Sequence, residues 1–385
     1  MNTVDWLLSQ LDAVVLYTVP FMVVLTVIIF FHEMGHFLVA RWCGVKVDAF
    51  SIGFGREIFG FTDSKGTRWK VAWLPLGGYV KFFDDEDIMS TQPVDPDRPV
   101  DPEARRVSFH EKPLWQRAAI VAAGPIANFL LAIVIFAAIF GFVGRTVTAA
   151  KVDEIQAGSA AEIAGFQVGD VIRSIDGAVI ESFSDLQRIV SINAGNELAF
   201  GVERDGVSIT LRATPKREER VDQLGTKTPV GLLGISRKTA EGDVVVERLG
   251  PGAALWMGVK ETWFVIDRTF AFLKGLVAGR ESAEQLGGPL RIAQYSAALY
   301  SISLTAYINL AAVLSVSIGL LNLFPIPMLD GGHLLYYAIE AIRGKPMSER
   351  MIQMGFKFGM AAVLMLMIFA TWQDLLQIRD RIGAF

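Results

Sequence analysis

Four long runs of this sequence are apolar enough to cross a lipid bilayer, and they limit its fold more than any other feature. A spanning helix needs about 20 mostly apolar residues, because its backbone polar groups must be paired within the segment. The runs are Ala13–Phe31, Ala118–Gly144, a part of Ile292–Leu329 and a shorter run near Phe358–Gln373. With 52% hydrophobic residues and a mean hydropathy of +0.40, the chain is too apolar for an ordinary soluble protein. We therefore predict a multi-pass α-helical membrane protein with four transmembrane helices.

Charged residues and cysteine narrow the compartment and the partners. Lysine and arginine are frequent between the first and second runs and between the third and fourth, and none precedes the first run. Because basic loops stay in the cytoplasm, both termini and residues 145–290 are expected outside. The first run lacks a basic leader and is not expected to be a cleaved signal peptide. The net charge of −4 predicts no nucleic-acid partner, and the only cysteine, Cys43, is interpreted as a packing residue.

The segments between the spans predict two further structures. Alternating stretches rich in Val, Phe, Trp and Tyr flank "TDSKG", which predicts a membrane-associated β-hairpin. Short strand and helix patterns after the second span predict an inserted α+β domain, followed by an amphipathic helix at the membrane surface. The predicted parts are 1–42 (first transmembrane helix), 43–114 (β-region and linker), 115–144 (second transmembrane helix), 145–238 (α+β domain), 239–291 (amphipathic helix region), 292–342 (third transmembrane helix) and 343–385 (fourth transmembrane helix and tail).

The first span ends in "HEMGH", which combines histidines with a glutamate. His32 and His36 are four residues apart and so share one face of a helix. Two imidazoles at this spacing can bind one zinc ion, and Glu33 can reach a zinc-bound water without binding the metal. Ionisable residues inside a span cost about 2.5–3.5 kcal/mol each, which a divalent cation would offset. The alternative is a motif that lies at the headgroup boundary and is only solvated.

A catalytic zinc site needs a third protein ligand and an open position. The candidates lie in "NLFPIPMLDGGHLLYY", where two prolines and two glycines predict a break in the third helix. Asp330 would complete a His₂Asp set, and His333 is the rival ligand. Asp330 could instead only cap the start of a helix, and His110 is interpreted as a solvated loop residue. Both motifs are predicted on the cytoplasmic side, so distant segments are expected to meet at one depth.

The motifs "HEMGH", "SIGFG", "LPLGGYVKF", "AGPIANFLLA" and "NLFPIPMLDGGH" together resemble the site-2 protease family of intramembrane zinc metalloproteases. The resemblance covers nearly the whole chain and is strongest to the bacterial RseP-like group. It implies that His32, His36 and Asp330 bind Zn²⁺ and that Glu33 is the general base. It also implies a protein of the bacterial inner membrane, with its active site toward the cytoplasm, that cleaves single-span membrane proteins.

The resemblance further implies where a substrate binds. The residues after the third span are expected to help hold it, and the membrane-dipping β-region is expected to pair with it as an extended strand. The predicted substrate-binding residues are Asn322, Pro325, Pro327, Gly53, Gly77 and Gly78.

The α+β domain resembles a PDZ domain in "AGSAAEIAGFQVGDVIRSIDG" and "VGLLGI". A PDZ domain implies binding of an extended peptide, or of the periplasmic region of a substrate, by strand addition. The best-known RseP-like proteins carry two such domains in tandem, whereas this sequence has one. The alternative is a steric plug or spacer without a ligand.

The sequence thus favours hydrolysis of peptide bonds within or near transmembrane segments. The resemblance implies regulated proteolysis, for example of an anti-sigma factor or of remnant signal peptides. One rival function is a membrane PDZ scaffold with a structural zinc, for which Cys43 or His333 would supply a fourth ligand. The other is a metal transporter, but we find neither an internal repeat nor ionisable residues along a path across the membrane.

Overall fold

The computed structural model describes residues 3–83, 102–221, 227–238 and 245–382. The helices are α1 (Thr3–Trp42), α2 (Pro102–Val107), α3 (Leu114–Ala138), α4 (Ala160–Ile163), α5 (Phe183–Ile192), α6 (Pro251–Val277), α7 (Pro289–Ile302), α8 (Leu304–Asn322), α9 (Asp330–Arg343) and α10 (Glu349–Ile382). The strands are β1 (Val47–Thr62), β2 (Arg68–Phe82), β3 (Arg145–Val147), β4 (Glu154–Ile155), β5 (Val171–Ile175), β6 (Ala178–Val179), β7 (Leu198–Arg204), β8 (Val207–Ala213), β9 (Lys216–Val221), β10 (Lys227–Leu232), β11 (Ile235–Ser236) and β12 (Val245–Glu247).

The chain divides into two compact units. The described residues of Met1–Ala137, Leu255–Ile266 and Gly287–Leu376 form the first unit, which contains the β1–β2 hairpin and most of the long apolar helices. The second unit comprises the described residues of Ala138–Ala254, Asp267–Leu286 and Gln377–Phe385.

Four helices in the described part of the chain are long and apolar enough to cross a membrane. They are Val14–Trp42, Leu114–Val143, Leu304–Asn322 and Arg350–Arg379. Each coincides with one of the four runs predicted from the sequence.

The region 292–342, assigned to the third transmembrane helix, is divided into more helices than the one break predicted at the prolines implies. This region contains the end of α7, all of α8 and α9. Ser303 interrupts it in an extended conformation, and its hydroxyl accepts a hydrogen bond from the Ala306 N–H at 3.4 Å. A serine changes the hydropathy of an uncharged run very little, so an N-cap inside such a run is easily missed. The break predicted at the prolines is confirmed, since α8 ends at Asn322 and α9 begins at Asp330.

The predicted β-hairpin is confirmed, with its turn at "TDSKG". Strands β1 and β2 pair antiparallel from Val47–Phe82 at the open end to Thr62–Arg68 at the turn. The register shifts along the pair, and Gly53 lies within the shifted stretch at a φ of +88°. A Cβ at Gly53 would lie 2.8 Å from the Leu74 carbonyl oxygen. The strands can therefore bend there only because this position lacks a side chain.

The carboxylate of Asp63 organises the hairpin turn. It accepts hydrogen bonds from the Lys65 and Thr67 backbone N–H groups, from the Trp69 indole at 3.1 Å and from the Arg41 guanidinium at 2.5 Å. Burial raises the pKa of Asp63, but these four donors outweigh burial and lower it to about 2. Because Arg41 belongs to α1, this carboxylate fixes the hairpin to the end of the first helix.

We expect the hairpin to loosen as the pH falls from about 4 to about 2. A carboxylate with a depressed pKa stabilises the fold above its unfolded pKa of about 3.9, and this contribution disappears as the pH falls through the folded pKa. Hydrogen exchange of the β1 and β2 amides measures the effect in the full chain in detergent. Asp63→Asn should already exchange faster at pH 5 and should show a smaller change on acidification. Identical pH profiles for the two proteins would contradict the assignment.

The second unit is built around a four-stranded antiparallel sheet of order β6-β5-β7-β8. Phe166, Ile172, Phe200 and Val202 lie at its buried core. The short strand and helix patterns after the second span correspond to elements of the structure: the strand patterns "AKVDEI", "DVIRSIDG", "ELAFGVERDG" and "VSITLRATP" contain β4, β5, β7 and β8, and the helix patterns "SAAEIAG" and "SFSDLQRIVSIN" contain α4 and α5. The β9–β10 hairpin was not predicted, because "KREERV" carries almost no apolar alternation.

Candidate metal centre

Three side chains from the two ends of the chain converge in the first unit. His32 and His36 lie on α1, and their Nε2 atoms are 3.3 Å apart. Asp330, the first residue of α9, places Oδ2 3.2 Å from His32 Nε2 and Oδ1 3.6 Å from His36 Nε2. A search of the His, Cys, Asp and Glu side chains in the described part of the chain finds these three as a group that could hold a metal ion. The predicted His₂Asp constellation is therefore present.

The geometry of this group fits zinc. A tetrahedral ion with Zn–N distances of about 2.0–2.1 Å holds neighbouring ligand atoms about 3.3 Å apart. The separation of the two imidazole nitrogens matches that value, and each nitrogen has one Asp330 oxygen at a similar distance, Oδ2 for His32 and Oδ1 for His36. In addition, the Oδ2 atom of Asp330 is buried. Although it lies near His32, it forms no hydrogen bond with any group in the described part of the chain. A buried carboxylate oxygen without a hydrogen bond is costly, and a cation would satisfy it.

Helix α3 orients both imidazoles. His36 Nδ1 lies 2.9 Å from the Ile120 carbonyl oxygen, to which it donates, and this leaves Nε2 for a metal. His32 Nδ1 lies 3.2 Å from the side-chain amide of Asn128, which is fully buried. A metal on Nε2 leaves the proton on Nδ1, so His32 needs an acceptor. The amide oxygen of Asn128 can serve when the amide is rotated by 180°, and this oxygen has no other partner in the described residues.

Two close approaches between α1 and α3 were not identified from the sequence. A Cβ at Gly35 would overlap the Ala123 carbonyl oxygen, and a Cβ at Gly124 would overlap His36 Nε2. The helices therefore come close enough for the α3 backbone to reach the histidines. The segment "AGPIANFLLA" places Gly124 and Asn128 four residues apart on one face of a helix, which is the signal that could have identified them.

Asn128→Ala is expected to lower the affinity for zinc about 10- to 100-fold, because partners that orient metal-binding histidines contribute that much. Asn128→Asp keeps an acceptor for His32 Nδ1 and should lose less. Competition with a chromophoric chelator measures both affinities. Equal zinc affinity in Asn128→Ala and the unchanged protein would exclude this role for the amide.

Strand β2 supports Glu33. The backbone N–H of Val80 is hydrogen-bonded to the Glu33 carboxylate. A Cβ at Gly78 would lie 2.8 Å from the Ser51 carbonyl oxygen and 3.0 Å from Glu33 Cγ. The strand can therefore approach α1 at this point only because residue 78 is glycine. Glu33 is not one of the three metal-binding candidates, as expected for a general base.

A cavity of about 230 Å³ opens beside the three candidate ligands. Glu33 lies on its wall with the ligands, and so do Asn322 and Gly78 from the predicted substrate-binding set. The remaining members of that set, Gly53, Gly77, Pro325 and Pro327, are not among the residues that line the cavity. A Cβ at Gly77 would overlap the Phe54 ring, so this glycine makes room for an aromatic side chain that does line the cavity.

The start of α9 is fixed by contacts further along the helix. Arg117 at the beginning of α3 donates a 2.5 Å hydrogen bond to Glu340, and its guanidinium lies 5.0 Å from the centre of the Tyr337 ring. Both members of the ion pair are largely buried. A partly buried ion pair and a stacked guanidinium constrain the rotation of α9 and therefore the direction of Asp330.

The alternative ligands lie outside the metal-binding group. Neither His333 nor Cys43 belongs to it, although His333 lines the same cavity. Cys43 packs beside the apolar cluster that includes Phe37 and Phe50, which agrees with its interpretation as a packing residue. The centre thus offers three protein ligands among the described residues and leaves a coordination position free.

The sequence of the chain is similar to those of known metalloproteases. The sequence model of peptidase family M50 matches residues 20–366. A protein of Agrobacterium fabrum named "Putative zinc metalloprotease Atu1380" is 49% identical, over 93% of this chain and 95% of its own. "Metalloprotease MmpA" of Caulobacter vibrioides is 40% identical, over 93% and 94% of the two chains.

The search of solved structures matched a PDZ domain, among other chains. The PDZ domain of an SdrC-like protein of Listeria monocytogenes covers 22% of this chain and 83% of its own, at 18% identity. The TM-score is 0.18, and nothing about this chain follows from so low a score.

A partly buried His₂Asp centre with an adjacent glutamate defines a zinc metalloprotease, and the family match and the relatives agree with this class. The chain belongs to peptidase family M50, the site-2 protease family.

Proposed function

We propose that this zinc metalloprotease cleaves peptide bonds within or near the transmembrane segments of single-span membrane proteins. The observation that carries the proposal is the location of the centre. His32 and His36 lie inside the candidate span Val14–Trp42, and Asp330 follows the candidate span Leu304–Asn322 by eight residues. A hydrolytic centre at this depth is suited to peptide bonds that soluble proteases cannot reach.

In the proposed mechanism His32, His36 and Asp330 would hold zinc, and Glu33 would be the general base. Bound zinc supplies Lewis-acid activation of water and of the scissile carbonyl. Glu33 accepts the proton of the attacking water and later donates it to the leaving amine. The backbone of Val80, which lies beside the Glu33 carboxylate, would help to keep it at the cavity wall. The side-chain amide of Asn322, on the same wall, is placed to donate to a substrate carbonyl.

The β1–β2 hairpin is proposed to receive the substrate as an extended strand. A helical substrate hides its carbonyls in its own hydrogen bonds, so it must unwind before hydrolysis. Strand pairing replaces the lost hydrogen bonds, which are costly to leave unmade in lipid. Gly78 and Tyr79 of β2 line the cavity and so place this strand beside the centre. Gly53, Gly77, Pro325 and Pro327 would act less directly, by shaping the strands and the Asp330 turn.

We further propose four membrane crossings in the bacterial inner membrane, with the second unit on the periplasmic side and the centre toward the cytoplasm. The four candidate spans and the basic loops support this topology. Regulated proteolysis of membrane-bound regulators or clearance of remnant signal peptides would suit such a site.

The second unit is proposed to bind an extended peptide as a PDZ domain does. A groove of about 650 Å³ runs between α5 and the segment Leu232–Ser236, with Phe183 and Val190 on its wall. Gln187 is exposed on the same wall, so Gln187→Trp should fill the groove without disturbing the core. A groove-binding peptide would then lose affinity, as measured by titration of the full chain. Unchanged affinity would favour a spacer without a ligand.

The rival scaffold function requires a closed structural zinc site. In the described residues the centre has three ligands, and neither Cys43 nor His333 joins them. An open position is typical of catalytic zinc sites. This observation favours the protease.

Cleavage by the purified protein tests the proposal. The full chain in liposomes, loaded with zinc, should cut a labelled single-span peptide, lose this activity on chelation and regain it when zinc is restored. A water-soluble peptide with a scrambled sequence serves as the control substrate. A chain that binds zinc at this centre but cuts no membrane-spanning peptide would refute the proposed function.

A further inference from the structure

The turn that carries Asp330 rests directly on the backbone of α10. Gly355 and Gly359 lie four residues apart on this helix and face Pro327. A Cβ at Gly359 would overlap the Pro327 carbonyl oxygen. A Cβ at Gly355 would overlap the Tyr336 hydroxyl and lie 3.4 Å from Pro327 Cβ. The α10 helix and the turn can therefore lie this close only because residues 355 and 359 have no side chain beyond hydrogen.

The same turn contains a strained residue. Met328 has a φ of +130°, a conformation that L side chains rarely adopt. Such strain persists only where the surrounding structure imposes it. Met328 lies between Pro327, which touches α10, and the metal-binding candidate Asp330. The strained residue therefore connects the part of the turn that contacts α10 with the residue that would bind the metal.

The inner side of the turn is equally tight. A Cβ at Gly331 would overlap the Leu323 and Phe324 carbonyl oxygens, and a Cβ at Gly332 would overlap the carbonyl oxygen of Ile326. The turn is thus enclosed by its own chain on one side and by α10 on the other. It has no room to relax unless one of these contacts is released.

We propose that Gly355 and Gly359 are positioning residues for the metal centre. By seating α10 against Pro327, they hold the strained turn so that Asp330 stays within reach of both imidazoles. They touch neither metal nor substrate and act only through the turn. This inference rests on the proposed function in one respect, because it takes Asp330 to be a zinc ligand.

Helix stability alone would predict the opposite effect of substitution. Glycine is among the poorest residues in a helix interior and alanine is the best. If Gly359 were only a helical residue, Gly359→Ala would leave the centre unchanged and would strengthen α10. A loss of zinc affinity in this variant would therefore report on the contact with the turn.

The test uses the full chain in detergent, with zinc affinity measured by chelator competition and coordination measured by the visible absorption of the Co²⁺-loaded protein. Gly359→Ala is expected to lower zinc affinity about 10- to 100-fold, as for other residues that orient ligands, and to change the Co²⁺ spectrum. Ala361→Val, on the opposite and exposed face of the same helix, should leave both unchanged. Where wild type cleaves a substrate, kcat should fall more than KM rises.

A second substitution separates positioning from general damage. Glycine adopts a φ of +130° without strain, so Met328→Gly should partly restore zinc affinity to Gly359→Ala by letting the turn keep its shape. Wild-type affinity and spectrum in Gly359→Ala would overturn the proposal. So would a loss that Met328→Gly leaves unchanged in a folded protein.

Gly355 supplies a test that does not depend on Gly359. The Tyr336 hydroxyl is buried and has no hydrogen-bond partner in the described residues, so Tyr336→Phe should be tolerated. Gly355→Ala should weaken zinc binding, and combining it with Tyr336→Phe should restore it, because the overlapping atom is gone. Failure of this pair to restore binding would count against the proposal. These measurements need no substrate. A chain without proteolytic activity would therefore refute the proposed function, whereas the inference about Gly355 and Gly359 would still be decided by zinc affinity and the Co²⁺ spectrum.

Discussion

Glu33→Gln is expected to keep zinc bound and to lower the rate of peptide-bond cleavage about 10²- to 10⁴-fold, the usual contribution of a general acid–base group. The amide of glutamine has the size of the carboxylate and can still accept the hydrogen bond from the Val80 N–H. It cannot take a proton from water. The three candidate ligands are untouched, so the zinc content should stay near that of the unchanged protein. Zinc analysis and single-turnover cleavage of a membrane-spanning peptide measure the two quantities.

Two matched variants sharpen this experiment. Glu111 is exposed and does not line the cavity, so Glu111→Gln removes the same charge elsewhere and should leave cleavage normal. Glu33→Asp keeps a carboxylate but withdraws it by one methylene, and it should retain more activity than Glu33→Gln. Full activity in Glu33→Gln would end the assignment of Glu33 as the general base, and loss of zinc would make Glu33 a ligand.

Gly124→Ala should abolish zinc binding, with an affinity loss of about 100-fold or more, the upper end for changes around metal ligands. The added methyl would overlap His36 Nε2 and lie 2.9 Å from His32 Cε1. Neither ring can easily retreat, because His36 is bonded to the Ile120 carbonyl and His32 is paired with Asn128. The methyl would thus occupy the space of the ligand atoms themselves.

The change should not unfold the helix, since alanine favours a helix over glycine by about 1 kcal/mol. Circular dichroism and zinc competition together separate the two effects. Ile126 is 49% exposed on the same helix, so Ile126→Ala is the control and should bind zinc normally. Normal zinc binding in Gly124→Ala would mean that α3 does not approach the histidines of α1 closely enough for a methyl group at residue 124 to overlap them.

The sequence identified the chemistry of the centre because that chemistry depends on rare residues in rare places. Histidines and a carboxylate are costly inside apolar segments, so their presence indicates a compensating metal. His32, Glu33, His36 and Asp330, the residues singled out from the sequence, all line the cavity. The same argument could not choose firmly between Asp330 and His333, which are one helical turn apart. Only the structure places Asp330 within reach of both imidazoles.

The residues that support the centre were missed for a physical reason. Gly124, Gly355 and Gly359 allow close contacts because they have no side chain, and the absence of a side chain leaves no signal in composition or hydropathy. The break at Ser303 was hidden in the same way, because one small polar residue hardly changes the mean of an apolar run. Asn128 was visible in its motif, but its role depends on which atom of His32 faces it.

The order of the ligands along the chain has a consequence for biosynthesis. Both histidines precede the segments Ala138–Ala254 and Asp267–Leu286 of the second unit along the chain, whereas the carboxylate follows them. Two imidazoles on one helix make a weak and incomplete site, and α10, which rests against the Asp330 turn, is synthesised last. During synthesis the two histidines therefore wait for their third ligand until Asp330 and the helix that seats its turn have been made, and a nascent chain that ends before α10 is expected to lack a complete centre.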